Sequence, residues 1–371
     1  MRIAVISDVH IGNHKRFGGK LDAGMNARCC LILAAFDEAI AVAKREKCGV
    51  LLVAGDFLDY VRMEPQIIAL LQTTIKQAGL DIVLVLGDHE IVTNEKGDHA
   101  LGPLTPVAHV IDEPKLMRLS NVELACVPFQ PGSSEKLVAK AASDLFSSSV
   151  DSSRARALAF HAGITHSGTP KFLRDAPDSI KLDTLKRLVE KLKLDFVVAG
   201  NFHFHERWQH NNCEIIQIGA LVPTGYDNPG LTGYGKLAVF DPDERSVKLH
   251  QISGPRFVQA SIDDDELIEK AKEYLGPVYL QITAESDRMT EAQGYRKELL
   301  DDKHVSEVEV VPDKKIAEKS ARNAATAARE QNTLEEALAA FIDKMEVEEG
   351  LDRKQIYHKA KEYLTKGKVG K

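Results

Sequence analysis

Oxygen and imidazole donors recur at the ends of short apolar runs in this chain. Asp8 and His10 follow the run from Ile3 to Ser7, Asp56 follows Val50 to Ala54, and Asp88 with His89 and Glu90 follows Ile82 to Leu86. Later runs end the same way, at Phe160-His161 and at Gly200-Asn201-Phe202-His203-Phe204-His205. Carboxylates mixed with imidazoles, and no thiolate among them, suit Mn²⁺, Fe²⁺ or Zn²⁺ better than Ca²⁺. Taken singly, a D-x-H or a Gly-Asp after a strand is usually a turn or a helix cap. Their repetition in chain order, each time at a strand terminus, points to a metal cleft at the carboxyl edge of an α/β sheet.

The elements that must position these donors are legible from periodicity. Residues 27 to 45 place Leu31, Ala34, Ala35, Ala39 and Val42 on one helical face, and 64 to 78 do the same with Ile67, Ile68, Leu71 and Ile75. Further strands are expected at 122 to 127, 158 to 160, 195 to 199, 214 to 218, 236 to 240 and 247 to 252, with helices near 134 to 146 and 181 to 193. Strands running to one edge with helices on both faces make the fold class α/β, a layered α/β/α sandwich. After Gly254-Pro255 the pattern changes to strand, helix (264 to 275), strand (278 to 283), helix (290 to 300), strand (305 to 311), a small α+β module beyond a Gly-Pro boundary. An Ala- and charge-rich stretch follows. Two amphipathic segments close the chain, one carrying Leu334, Leu338, Phe341, Ile342 and Met345, the other Ile356, Tyr357, Ala360, Tyr363 and Leu364. Segments this short do not hold their apolar faces alone, so they either fold back or dock on a partner.

The ordered elements SDVHIG (7 to 12), AGDFLD (54 to 59), LGDHE (86 to 90), FHAG (160 to 163) and AGNFHFH (199 to 205) resemble the calcineurin-like metallophosphoesterase superfamily over roughly residues 1 to 252. The stretch IQIGALVP (216 to 223) is similar to the turn that follows the last ligand in that superfamily. The resemblance implies two divalent metal ions, manganese in the nuclease branch, bridged by Asp56. It implies Asp8, His10 and His203 on the first metal and Asp88 and His161 on the second, with His89 protonating the leaving oxygen. The chain departs from the pattern where Asp88 stands for the usual Asn and Asn201 for a usual His. A gapless register puts Asn201 at that ligand position, and a shift of two residues instead pairs His203 with His205. Lys15, Arg16 and Lys20, on the loop after the first ligands, are candidate contacts for DNA phosphates.

The downstream order resembles the SbcD-type nuclease family. That resemblance divides the chain into a nuclease domain (1–254), a capping domain that positions DNA (255–312), a linker (313–333) and a helical docking tail (334–371). It implies DNA exonuclease and endonuclease activity in recombination, repair or replication, and a partner ATPase of the SMC-like kind held by the tail; a homodimer stays open. The competing readings are a free-standing metallophosphatase or cyclic-nucleotide phosphodiesterase, and a metal-poor scaffold.

Composition sets outer bounds. With 371 residues and 44% hydrophobic content the chain can bury a large core and carry appended modules. A net charge of -7 excludes coating nucleic acid by bulk charge but leaves room for a local basic groove. The five cysteines have no C-x-x-C spacing and read as reduced thiols. No apolar run approaches the roughly 18 residues of a membrane span. A cytoplasmic protein, of a bacterial cell or a phage-infected host, is expected.

Overall fold

The computed structural model describes residues 1–313 apart from 94, 96, 148–152, 227–229, 275 and 303–304. The linker and helical tail expected from residue 314 onward lie outside the described residues. By contact the chain divides into two compact units, Met1–Ile282 with Ala292–Val310, and Thr283–Glu291 with the residues from Val311. The first holds every side chain of the sites discussed below.

Two six-stranded sheets form its centre. One runs, edge to edge, through Ser246–Gln251, Lys236–Asp241, Arg2–Ile6, Cys48–Val53, Asp81–Val85 and His109–Ile111. The other runs through Glu206–His210, Cys213–Gln217, Phe196–Gly200, Ala155–His161, Val122–Val127 and Lys115–Arg118. In each, the strands that lead to candidate ligands are parallel: Ile6 stands beside Val53, Val53 beside Leu84, and Gly200 beside His161.

The α/β/α layering is present with its β layer doubled. Val5, Leu52, Val85, Leu124, Ala157 and Val198 pack between the two sheets, where Phe196 also stacks on Phe240 at 4.9 Å. Each of the larger of these side chains contributes on the order of 2 kcal/mol by leaving water. The alternate residues Leu51, Val53 and Leu84 face outward onto Ala27–Arg45 and Pro65–Gln77, whereas Leu158, Val197 and Ile215 face Ser134–Ser147 and Leu182–Leu192. A strand buried on both faces shows no alternation, so the sequence reveals the strand and hides the second sheet. The edge strands Lys115–Arg118 and Glu206–His210, and the short pair Gly163–Thr165 and Ser179–Lys181, went unread for the opposite reason, being short or polar.

Local chemistry fixes the helices. Ala27–Arg45 starts on Asn26, whose side chain accepts from Cys29 N, and ends with Lys44 and Arg45 in its last turn, both favourable to the helix dipole. Pro65 opens the next helix, whose buried Ile67, Leu71 and Ile75 recur every fourth residue. The module after Gly254 is a three-stranded sheet, Arg256–Ser261, Val278–Ala284 and Val305–Pro312, with helices Asp265–Lys272 and Met289–Leu300, the first shorter than expected.

Candidate metal centre

Both sheets deliver their ligand-bearing strands to the same end, and the residues that follow sit in backbone conformations that L-residues adopt at a cost. Asp8, His10 and Asp56 have φ of 49°, 51° and 49°. Such residues persist only where the surroundings over-determine them. Here Asp8 N donates to Gly55 O at 3.1 Å, His10 N to Asp56 O at 3.0 Å, and Ser7 Oγ to Ala54 O at 2.9 Å. Gly55 has φ of 99°, and a Cβ there would overlap the His161 ring; a Cβ at Gly200 would strike Ser7 Oγ and Ala54 O. Glycine at both positions is what lets strand ends of opposite sheets meet.

Asp8, His10 and His203 bring one donor atom each within 4.8 Å of one another, and so do Asp8, Asp56 and His161. The Nε2 atoms of His10 and His203 face each other at 3.1 Å, with His203 Nε2 3.8 Å from Asp8 Oδ1 and His10 Nε2 3.8 Å from Asp56 Oδ2. On the other side His161 Nε2 is 3.4 Å from Asp56 Oδ2 and 3.1 Å from Asp88 Oδ1. Its Nδ1 lies 2.8 Å from Ala54 O, the contact that fixes an imidazole so that Nε2 is presented as a ligand. The buried Asp8 and Asp56 meet the imidazoles of His10, His161 and His203 and the backbone amides of Asn201 and His89. Buried carboxylates need a cation, and imidazole nitrogens turned toward one point supply the rest of a coordination shell. The donor set fits divalent metal.

The charges are strongly coupled. Burial works against a charged His10, yet Asp59, Asp56 and Asp8 overcome it and raise its pKa to about 9. His161 is likewise lifted well above the ordinary imidazole value, against burial, by Asp56 and Asp88. Asp56 is held well below the usual carboxylate range by His161 and His10 despite its burial. His203 goes the other way: burial lowers it. Glu90, buried and facing the Asp56 charge, is pushed up to about 8 while it accepts from Leu58 N at 2.9 Å and Gly87 N at 2.7 Å.

Of the residues expected at the site, Asp8, His10, Asp56, Asp88, His161 and His203 come together. His89 stands at the rim, 41% exposed, its Nδ1 2.8 Å from Asp59 O and its ring 4.7 Å from that of His10. Asn201 is brought in by its backbone: its N–H donates to Asp8 Oδ1 at 3.0 Å, while its side-chain amide donates to Asp178 Oδ2 at 2.8 Å. His205 turns away, with Nδ1 3.2 Å from Ile218 O, and belongs to none of the donor groups. Lys15, Arg16 and Lys20 are exposed, but Arg16 pairs with Glu309 and lies over the Tyr226 ring at 4.7 Å.

Sequence reasoning passed over Asp59. Its carboxylate lies 3.3 Å from His10 Nδ1 and 3.5 Å from His14 Nδ1, and it joins His10 and His89 in a third donor group. The signal was available, since Asp59 lies three residues past Asp56 in the same loop. Glu90, two residues past Asp88, carries no mark of its role in the sequence.

A mixed α/β sandwich with donors of this kind at its strand ends defines a metal-dependent phosphoester hydrolase. The sequence matches the calcineurin-like phosphoesterase family over residues 1–207, and the chain belongs to that family. Comparison with curated proteins gave no significant match. Among solved structures it is similar to the protein TT1561 of Thermus thermophilus (11% identity, 68% of this chain and 99% of that one, TM-score 0.42). It is also similar to the purple acid phosphatase PPD1 of yellow lupin seeds (12%, 68% and 52%, TM-score 0.45). A third is a putative 5'-nucleotidase from Staphylococcus aureus (14%, 74% and 59%, TM-score 0.40). No helix among the described residues is long and apolar enough to cross a membrane.

Proposed function

We propose that this phosphoesterase is a nuclease that hydrolyses DNA phosphodiester bonds, the catalytic subunit of an SbcCD-like complex. The observation that supports the finer assignment is the module beyond residue 254, which flanks the ligand-bearing loop. Phe17, seven residues past His10, stacks on Tyr279 at 5.1 Å and lies 6.2 Å from Phe257, and the neighbouring Arg16 pairs with Glu309. Buried Arg28 ties the same loop down, donating to Arg16 O at 3.1 Å and to Thr224 O at 2.9 Å beneath the Phe257 ring. An extension fixed this firmly beside a catalytic loop suits an extended polymer substrate better than a small ester.

Asp8, His10, His203 and Asp56 would hold one divalent cation, and Asp56, Asp88 and His161 a second. Manganese is the proposed metal, with iron or zinc as the other candidates. Bound there, the cations would polarise phosphoryl oxygens and supply a water of lowered pKa. The chain's own share is orientation and proton delivery. Asp59 O accepts from His89 Nδ1 and leaves Nε2 without a partner among the described residues, from which the imidazolium form would protonate a departing oxygen. The segment 334–366 is proposed to dock the ATPase through its two apolar stripes.

The test is Mn²⁺-dependent degradation of duplex and single-stranded DNA, measured beside p-nitrophenyl phosphate and bis(p-nitrophenyl) phosphate. DNA cleavage with weak monoesterase activity supports the proposal. A preference for the monoester, with intact DNA, makes the chain a free-standing phosphatase. For the tail, a chain ending at Pro312 should keep diester hydrolysis and lose co-purification with an SMC-like ATPase.

A further inference from the structure

A cavity of about 370 Å³ lies apart from the metal donors, lined by Thr165, His166, Ser167, Arg174, Lys181 and Lys186 together with Leu182 and Asp183. Its walls come from the short strand Gly163–Thr165, its parallel partner Ser179–Lys181, in which Thr165 stands beside Lys181, and the first turn of the helix Leu182–Leu192. That helix opens with no side-chain cap hydrogen bond, and the positive end of its dipole favours an anion. Arg174 is held in place by donating Nε and Nη2 to Thr169 O at 3.2 and 3.0 Å, and its Nη1 has no partner among the described residues. Lys186 lies 3.7 Å from Asp183, the only carboxylate on the wall among the described residues, and that carboxylate is 81% exposed.

An independent observation points to a ligand. Thr165 is 1% exposed and its Oγ1 has no hydrogen-bond partner among the described residues. A buried hydroxyl left unpaired costs about 1–3 kcal/mol, so it marks a place where a bonding partner belongs.

We propose that this cavity is a second phosphate site. Resting on the nuclease reading, it takes a backbone phosphate of a DNA strand whose scissile diester lies at the metal centre. The connection is short. Thr165 follows His161 by four residues, a reach of at most about 14 Å for extended chain. Asp178, which anchors the amide of Asn201, directly precedes Ser179–Lys181. A phosphate seated on Lys181, Arg174 and the helix start would fix the register of the strand without reading its sequence.

The test uses the full chain. In chelator, inorganic phosphate should broaden its ³¹P resonance on addition of protein, and Arg174→Ala with Lys181→Ala should weaken that binding by about tenfold. Thr165→Val, which keeps the shape and removes the hydroxyl, should weaken it by a smaller factor. With Mn²⁺, the double variant should raise KM for a twelve-nucleotide strand by about tenfold at unchanged kcat, and flatten the salt dependence by about one phosphate. Hydrolysis of bis(p-nitrophenyl) phosphate, too short to reach the cavity, should not change. Equal phosphate binding by wild type and double variant would overturn the site. Weakened phosphate binding with an unaltered oligonucleotide KM would overturn its assignment to the strand. If the wild type cleaves no DNA, the nuclease reading fails by itself, and the phosphate titration still decides whether the site exists.

Discussion

The two sides of the metal centre are built from similar donors and behave differently. Around Asp8, the imidazoles are unequal: His10 is held protonated to about 9 by Asp59, Asp56 and Asp8 against its burial, while His203, 22% exposed at its side chain, is lowered by burial. Around Asp88, a single enclosed imidazole, His161, is lifted strongly by Asp56, and Asp88 itself is 39% exposed. The contrast follows from where the carboxylates sit: several acids together overcome burial at His10 and at His161, whereas those facing His203 do not. Asp56 is the element common to both sides, within 3.8 Å of His10 and 3.4 Å of His161.

The comparison breaks most completely at Asp56. Asp56→Asn removes the charge both sides share, and a buried charged cluster deprived of one partner loses about 3–5 kcal/mol. Metal content should fall on both sides and turnover should vanish; a variant that keeps a full complement by elemental analysis would show that the sides are independent. The proposed mechanism gives His89 proton delivery and makes it a ligand on neither side. His89→Ala should leave metal content intact and slow cleavage by about 10²- to 10⁴-fold. Release of metal in calorimetric titration would make His89 a ligand and not an acid.

Protonation gives a third contrast. In the chelated protein His10 and His161 carry protons that metal must displace, so Mn²⁺ binding at pH 7 should release protons, and its apparent affinity should rise as pH approaches 9. Calorimetry in two buffers of different ionisation enthalpy would detect the release, and identical enthalpies would refute it. The same shifts govern the stability of the chelated chain. The raised His10 stabilises fully below 6.5, and that contribution is lost as pH rises through about 9. The depressed Asp56 stabilises above 3.8 and loses its contribution as pH falls through its lowered value. The chelated melting temperature should therefore fall between pH 6.5 and about 9, and the Mn²⁺-loaded one should not.

Smaller effects sharpen the two sides individually. Asp88→Asn exchanges a carboxylate for a neutral oxygen and should weaken the metal beside His161 by about tenfold, with cleavage retained at saturating Mn²⁺. Unchanged affinity there would remove Asp88 from the ligand set. His205→Ala should leave metal content unaltered, because that ring bonds Ile218 O and not the donors. Loss of one metal would restore the shifted register.

How much of this was legible depends on the kind of signal. The strand-end donors Asp8, His10, Asp56, Asp88, His161 and His203 were readable because each follows an apolar run, and the helix 27 to 45 because its face repeats at helical period. Asp59 was not, although it lies in a quoted motif, because what makes it matter is its distance to His10, His14 and His89, which no spacing encodes. The same holds for Arg16, which reads as a free cation beside Lys15 and Lys20 and is instead consumed by Glu309, 293 residues away.

The sequence by itself determined the order of the principal strands and helices, the family, and which side chains end the ligand-bearing strands, since those are local properties of pattern and propensity. Only the tertiary structure decided that the strands divide into two facing sheets, that His203 rather than His205 faces His10, and that Asn201 enters through its backbone while its amide turns to Asp178. The physical reason is the same in each case. A run buried on both faces carries no record of its neighbours, and a turn such as 200 to 205 aims its side chains by φ values and contacts that are fixed only when the opposite sheet closes over it.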